Sequence, residues 1–235
     1  MRMNKGIFKR NDGFYDVKAL AGETIFYVYD EIGKDNIRAD KLVQDIAKEN
    51  GPITIRVHSP GGNAFDGLLI YNAILRREHK TKIRIDGLAA SAAAVFAMAG
   101  DEIEMPEEAF IMIHNAWGGR IGSAKEFRAF ADTLEKLDQQ LVGIFTKKTG
   151  KSESVIRKAL EDTSWFNGKE ALEWGFIDKI SDAQPAKNSY DLSVFNNVPA
   201  ILLDGISDGD GDRRDVDQEP EATDCIKSII NQIRS

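Results

Sequence analysis

The chain has 235 residues, of which 42% are hydrophobic, 29% charged and one a cysteine, with a formal net charge of −7; this length suits one well-buried domain with an appendage. A single cysteine excludes an intramolecular disulfide and a cysteine-built zinc site, and no apolar run of about 18 residues offers a membrane span. Nine acidic and two basic residues between Asp204 and Asp224 account for the whole net charge, so nothing points to a basic nucleic-acid surface. The first residues lack the apolar core of a signal peptide, and a cytoplasmic location is expected.

Met1 to Asp16 reads as a polar arm or edge hairpin around Asp12-Gly13. Glu23 to Tyr29 is rich in β-branched and aromatic residues and predicts a strand. Ala39, Leu42, Val43, Ile46 and Ala47 follow the spacing of a helix with one buried stripe, which Gly51-Pro52 ends. Ile53, Ile55 and Val57 alternate with polar residues, predicting a strand that runs into Ser59-Pro60-Gly61-Gly62-Asn63. Phe65, Leu68, Leu69 and Asn72 carry a second helix to about Arg77.

A strand follows over 81–85. The next stretch, Asp86 to Gly100 (DGLAASAAAVFAMAG), is expected to break at Gly87 and become a small-residue helix with Ser91 at its mouth. Phe110 to Ile113 predicts a short buried strand that ends on His114. Ser123 and Glu126 form a capping-box pair opening a long helix to about Lys148, with Phe127, Phe130, Leu134, Leu137, Leu141, Ile144 and Phe145 as its stripe. Shorter helices are expected from about Ser152 and over Glu170 to Trp174, and Ile177 to Ile180 ends the core.

Alternating strands and helices with long connections predict an α/β layered fold built on parallel crossovers. Functional groups in such folds collect at the carboxyl ends of strands. Three stretches lie there. Ser91, beside unpaired helix N–H groups, suits a nucleophile whose attack creates an oxyanion, or is an N-cap. Gly61-Gly62 lets backbone N–H groups face a ligand, or forms only a tight turn. His114 is a general base for Ser91 or a structural strand-end residue. His58 and His79 are weaker bases, the latter set in a charged run.

From Ser181 the composition turns polar, with one apolar island at Val198 to Leu203. The stretch from Asp204 to Asp224 is expected to be disordered by charge and low hydrophobicity. Asp208, Asp210, Asp212 and Glu219 fall on positions 1, 3, 5 and 12 of a calcium loop, but Arg213 stands where glycine is needed and a solvated linker is the expectation. Cys225 to Ile233 reads as a short terminal helix.

The sequences SPGGN, GLAASAAA, MIHNAWGG and WFNGKEALEWGFID occur in the order and approximate spacing of the Clp-type serine peptidases, which residues 20 to 180 resemble. The start ETIFYVYDEIG and the acidic extension are similar to the phage and prophage head-maturation branch. The resemblance implies an N-terminal arm (1–19), a peptidase domain of crotonase-like fold (20–180) and a C-terminal extension (181–235). It implies Ser91 as nucleophile, His114 as base, and the N–H groups of Gly62 and Ala92 as the oxyanion hole. The family's aspartate position falls on Thr163 in an ungapped alignment. A one-residue slip before Trp165 restores Asp162 as the third member, with Glu161 or no acidic partner as the alternatives. No cofactor or metal is implied. The implied partners are a protein or peptide substrate, capsid or scaffold proteins among them, a homo-oligomeric ring contacted through the long helix, and an ATP-dependent unfoldase. A crotonase-type acyl-CoA enzyme would leave Ser91 and His114 without a role. A non-catalytic ring subunit is the remaining alternative, and a Ser-Lys signal peptide peptidase, also related in fold, would be expected to carry a membrane anchor.

Overall fold

The computed structural model describes residues 8–10, 15–20, 23–33, 36–182, 190 and 192–203. The hairpin tip expected around Asp12-Gly13, the acidic stretch from Asp204 to Asp224 with its calcium-like spacing, and the helix expected at Cys225 to Ile233 lie outside these residues.

Of the first three strands, β1 (Phe8–Arg10), β2 (Asp16–Leu20) and β3 (Glu23–Val28), the middle one pairs antiparallel with each of the others. Helix α1 (Ala39–Lys48) buries Ala39, Leu42 and Ile46, three residues of the predicted stripe. The chain then returns parallel to β3 as β4 (Ile53–Ser59), in register Ile53 on Thr24 and Val57 on Val28. Helix α2 (Ala64–Leu75) is capped by Asn63, whose side chain accepts from the N–H groups of Phe65 and Asp66. Elements β3, α1, β4 and α2 end within about two residues of the predicted limits, whereas β2 runs four residues past the predicted arm, to Leu20.

The next strand departs further from the sequence reading. Strand β5 (Thr81–Ala90) passes straight through Gly87, and helix α3 (Ala92–Ala97) begins only after Ser91. Long-range pairing overrides the helix propensity of the alanines. The first half of β5 pairs with β6 (Glu102–Met105) and the second half with β7 (Phe110–Ile113), so Leu88, Ala89 and Ala90 are held as strand by Phe110, Ile111 and Met112. Just before the change of partner, the buried carboxylate of Asp86 receives two parallel bonds of 2.7 Å from Arg56 and one from the Tyr29 hydroxyl. That cluster ties β3, β4 and β5 together, and its hydrogen bonds with the Asp86 carboxylate raise the Arg56 pKa. Every residue of α3 is buried, and a Cβ on Gly67 of α2 would lie 2.9 Å from that of Ala92. The alanine run therefore serves close packing of α2 on α3 rather than helix formation alone.

Helix α4 (Ala124–Thr149) opens at Ser123, whose N–H and hydroxyl both donate to Glu126 at 2.8 Å, and closes on Gly150 in the left-handed region. Its stripe is divided. Leu137, Leu141, Val142 and Phe145 are buried, whereas Phe127 is 50% exposed. Helix α5 (Glu153–Glu161), strand β8 (Ser164–Asn167) antiparallel to β7, helix α6 (Gly168–Trp174) and strand β9 (Lys179–Ile180) beside β6 follow. A single turn, α7 (Ala200–Leu203), arises from the apolar island. There Leu192 and Leu202 join Leu88, Ala90 and Met112 in a second apolar cluster, separate from the main core.

Candidate active site

Ser91 is placed by strand pairing. Ala90 lies opposite Met112, and the Ser91 N–H donates to the Met112 carbonyl at 2.9 Å, which brings Ser91 level with the end of β7 and so with His114. The turn into α3 puts Ser91 at φ 53, ψ −123, a conformation rarely adopted by residues other than glycine. Such a backbone costs on the order of 1–3 kcal/mol and persists only where its surroundings fix it. Here they do: the Ser91 carbonyl accepts from Val95 at 3.1 Å while its N–H is held by β7. The side chain makes no capping bond. Instead Ser91 Oγ lies 2.8 Å from His114 Nε2.

Burial holds the His114 pKa below 6.5 because it penalises the charged ring, and a hydrogen bond to the Asn115 backbone acts in the opposite direction. In the tautomer whose proton faces that backbone, Nε2 accepts the Ser91 hydroxyl proton. A neutral imidazole at neutral pH is the form a general base requires.

The glycine turn faces the same space. Gly61 and Gly62 have φ of 99° and 134°, and a Cβ on Gly62 would stand 2.2 Å from the Ile32 carbonyl oxygen. Ile32 fixes the turn by donating to the Gly61 carbonyl at 2.6 Å and accepting from Asn63 at 2.8 Å. Ala92, the first residue of α3, has no acceptor for its N–H within the helix. Gly62 and Ala92 line a cavity of about 220 Å³ together with Ser91 and His114. Its far wall is apolar, drawn from Trp117, Phe130, Leu134, Leu137 and Leu141.

Asp162 stands elsewhere. It caps the end of α5, and both of its carboxylate oxygens lie 2.6 Å from Lys158 Nζ, one turn earlier on the same helix. Among the described residues no carboxylate hydrogen-bonds His114. Thr163, where the ungapped alignment puts the acid, is buried and has φ 50. His58 is buried between the rings of Tyr29 and Tyr190, and His79 is exposed; neither lines the cavity.

Two contacts to the site escaped the sequence reading. The Ala116 N–H donates to Asp138 Oδ1 of α4 at 2.6 Å, fastening the loop after His114, and the Asp138 carboxyl is pushed up by burial. Phe195 packs on the His114 ring, with centroids 5.5 Å apart and planes at 64°. Asp138 carries no sequence signal, being one polar residue on a long helix. Phe195 stands just ahead of the apolar island.

The sequence profile of the family described as Clp protease matches residues 9–184. Among similar curated proteins are the ATP-dependent Clp protease proteolytic subunit 1 of Prochlorococcus marinus subsp. pastoris, 29% identical over 72% of this chain and 89% of that protein, and proteolytic subunit 2 of Treponema denticola, 31% identical over 74% and 82%. The proteolytic subunit of Porphyromonas gingivalis is 30% identical over 64% of this chain and 69% of its own. A profile reaching over more than half of the chain, through the strand pairing that sets Ser91 against His114, establishes that this chain belongs to the Clp protease family.

Proposed function

We propose that this chain is a serine endopeptidase that works through an acyl-enzyme on Ser91. The observation that carries the reading is the 2.8 Å approach of Ser91 Oγ to His114 Nε2, made by a hydroxyl that has no capping role. His114 takes the hydroxyl proton as Ser91 attacks the scissile carbonyl, and returns it to the leaving amine. The N–H groups of Gly62 and Ala92 receive the oxyanion. Water then repeats the sequence on the ester. The apolar wall from Trp117 to Leu141 favours a hydrophobic side chain next to the cut bond. A crotonase-like layering, a ring of identical subunits joined through the exposed half of α4, and a cytoplasmic setting belong to the same proposal.

The third triad position is filled by Asp162 only after its carboxylate leaves Lys158; in the arrangement described, Ser91 and His114 act as a dyad. For the substrate, the acidic extension and the ETIFYVYDEIG start favour processing of head or scaffold proteins. The three bacterial relatives, each a proteolytic subunit of an ATP-dependent Clp protease, favour a proteolytic subunit of an ATP-dependent system. Degradation of a folded protein that requires an added unfoldase and ATP selects the second; ATP-independent cleavage of a co-expressed capsid precursor selects the first.

The chemistry itself is tested by labelling. A fluorophosphonate should modify the wild-type chain at Ser91 and leave Ser91→Ala unmodified. Equal labelling of both would overturn the assignment.

A further inference from the structure

The family profile ends at residue 184, yet the chain beyond it returns to the catalytic pair. Its attachments fall on β4, β5 and β7, which lead into the site, and on the end of α5. The Tyr190 hydroxyl donates to the carbonyl of His58, at 2.8 Å, just ahead of the glycine turn. Leu192 and Leu202 pack on Leu88, Ala90 and Met112, which belong to the strands that end on Ser91 and His114. Asn197, itself at φ 57, donates through Nδ2 to the Asp162 carbonyl at 2.6 Å. Between these anchors Phe195 meets the His114 ring, while Trp165 backs Phe195 at 6.3 Å and donates its indole N–H to the Asn196 carbonyl at 3.0 Å.

We propose that Tyr190 and residues 192–203 complete the active site, and that Phe195 is the positioning residue of the general base, holding the His114 ring toward Ser91 where other serine peptidases use a carboxylate. The proposal rests on the reading of Ser91 and His114 as the catalytic pair. An imidazole turns easily about its last side-chain torsion, and the hydrogen bond to the Asn115 backbone holds only one edge of the His114 ring, so a second contact is needed to fix its angle before Nε2 can face Oγ. A carboxylate does this by hydrogen bonding. In the structure the carboxylates of the neighbouring elements make other bonds, Asp162 with Lys158 and Asp138 with the Ala116 N–H. Edge-to-face packing supplies the restraint without a charge, and an aromatic pair of this kind is directional as well as apolar. The same contact keeps water from one side of the ring. Phe195 thus acts on orientation and on protonation together, a coupling that packing elsewhere in the fold would not produce.

The test compares wild type, Phe195→Ala and Phe195→Tyr as full-length chains, following the rate at which a fluorophosphonate labels Ser91 from pH 4.5 to 8. Loss of the restraint should slow labelling of Phe195→Ala about ten-fold at pH 8. Hydration of the ring should also move the acid limb upward, toward 6.5, the pKa of an unperturbed histidine. Phe195→Tyr, which keeps the ring, should restore both. If circular dichroism shows Phe195→Ala unfolded, Phe195→Leu keeps the apolar volume without the aromatic edge and carries the same two readings. A slower rate with the acid limb in place, or no change in either, overturns the proposal while leaving the catalytic pair standing. A wild-type chain that is not labelled at Ser91 overturns both.

Discussion

Replacing Gly62 with alanine adds one methyl group and should cost activity far out of proportion to its size. The new Cβ would lie 2.2 Å from the Ile32 carbonyl oxygen, 2.8 Å from its nitrogen and 2.9 Å from its carbonyl carbon. All three are backbone atoms. Ile32 cannot retreat without breaking its bonds of 2.6 and 2.8 Å to Gly61 and Asn63. The φ of 134° adds about 1–3 kcal/mol of strain for a residue with a Cβ. Relief requires the Gly62 peptide to turn by roughly 1 Å, enough to take its N–H out of line with the oxyanion. Loss of one such donor lowers turnover by about 10²- to 10³-fold. The assay is steady-state hydrolysis of a fluorogenic peptide, with kcat expected to fall and KM to hold, since the donor acts on the charge that develops during attack. Gly143→Ala is the control: no atom lies within 4 Å of its Cβ on α4, and it should be neutral or stabilise by roughly 0.5–1 kcal/mol. A folded Gly62→Ala chain with turnover within about three-fold of wild type would remove this turn from the oxyanion hole.

Asp162→Asn separates a dyad from a triad: with the carboxylate on Lys158, turnover should fall less than about ten-fold, whereas a loss near 10⁴-fold would place it behind His114 in the working enzyme. Burial keeps the folded His114 pKa below 6.5, so peptidase activity should persist at pH 6.5 and decline only below it. The unfolded chain binds that proton more readily than the folded one; the stability present above 6.5 is therefore lost as pH falls through the window toward the folded pKa, which urea titrations at several pH values will show. On α4, Phe127→Glu should yield a smaller, folded and less active species by light scattering, whereas Leu137→Glu, at 8% exposure beside the cavity, should unfold the subunit. A stable Leu137→Glu chain would contradict the packing of that half of the helix.

The sequence exposed the fold where periodicity and pairing agree. Helices α1 and α4 carry stripes and stops within their own sequence, and β4 alternates in sequence, so local rules suffice there; α2 forms where expected but buries Gly67, Ile70, Tyr71 and Ile74, leaving Phe65, Leu69 and Asn72 exposed. Strand β5 is the instructive failure. Leu88-Ala89-Ala90 is helix-prone by composition and strand by pairing with β7, and nothing within ten residues records that partner. Strands β6 and β8 were missed for a related reason, since each is four residues long and specified mainly by its neighbours. Of the residues that the structure gathers around the cavity, Ser91, Gly62 and His114 follow strand ends, where the fold class directs attention, whereas Ala92 came only with the resemblance to the Clp-type peptidases. Asp138 and Phe195 were legible in neither way, because their part in the site comes from tertiary contact rather than from any motif.

The third triad position is where sequence and geometry leave most to chemistry. A carboxylate at 162 has two competing partners: Lys158, which lies one helical turn away and is solvent exposed, and a buried imidazole that is neutral until Ser91 reacts. The exposed ion pair is screened by solvent, so it does not hold Asp162 strongly. The Asp162 peptide is another matter, since Asn197 grips its carbonyl at 2.6 Å and Thr163 follows in a left-handed turn. Turning the carboxylate inward therefore means unwinding that turn, not merely rotating a side chain. The attraction grows when His114 becomes imidazolium, which is the moment a triad needs its acid. A Ser91–His114 pair buttressed by Phe195 can begin the reaction without it, and an Asp162 that moves inward only as charge develops would contribute to the transition state while leaving the resting geometry unchanged.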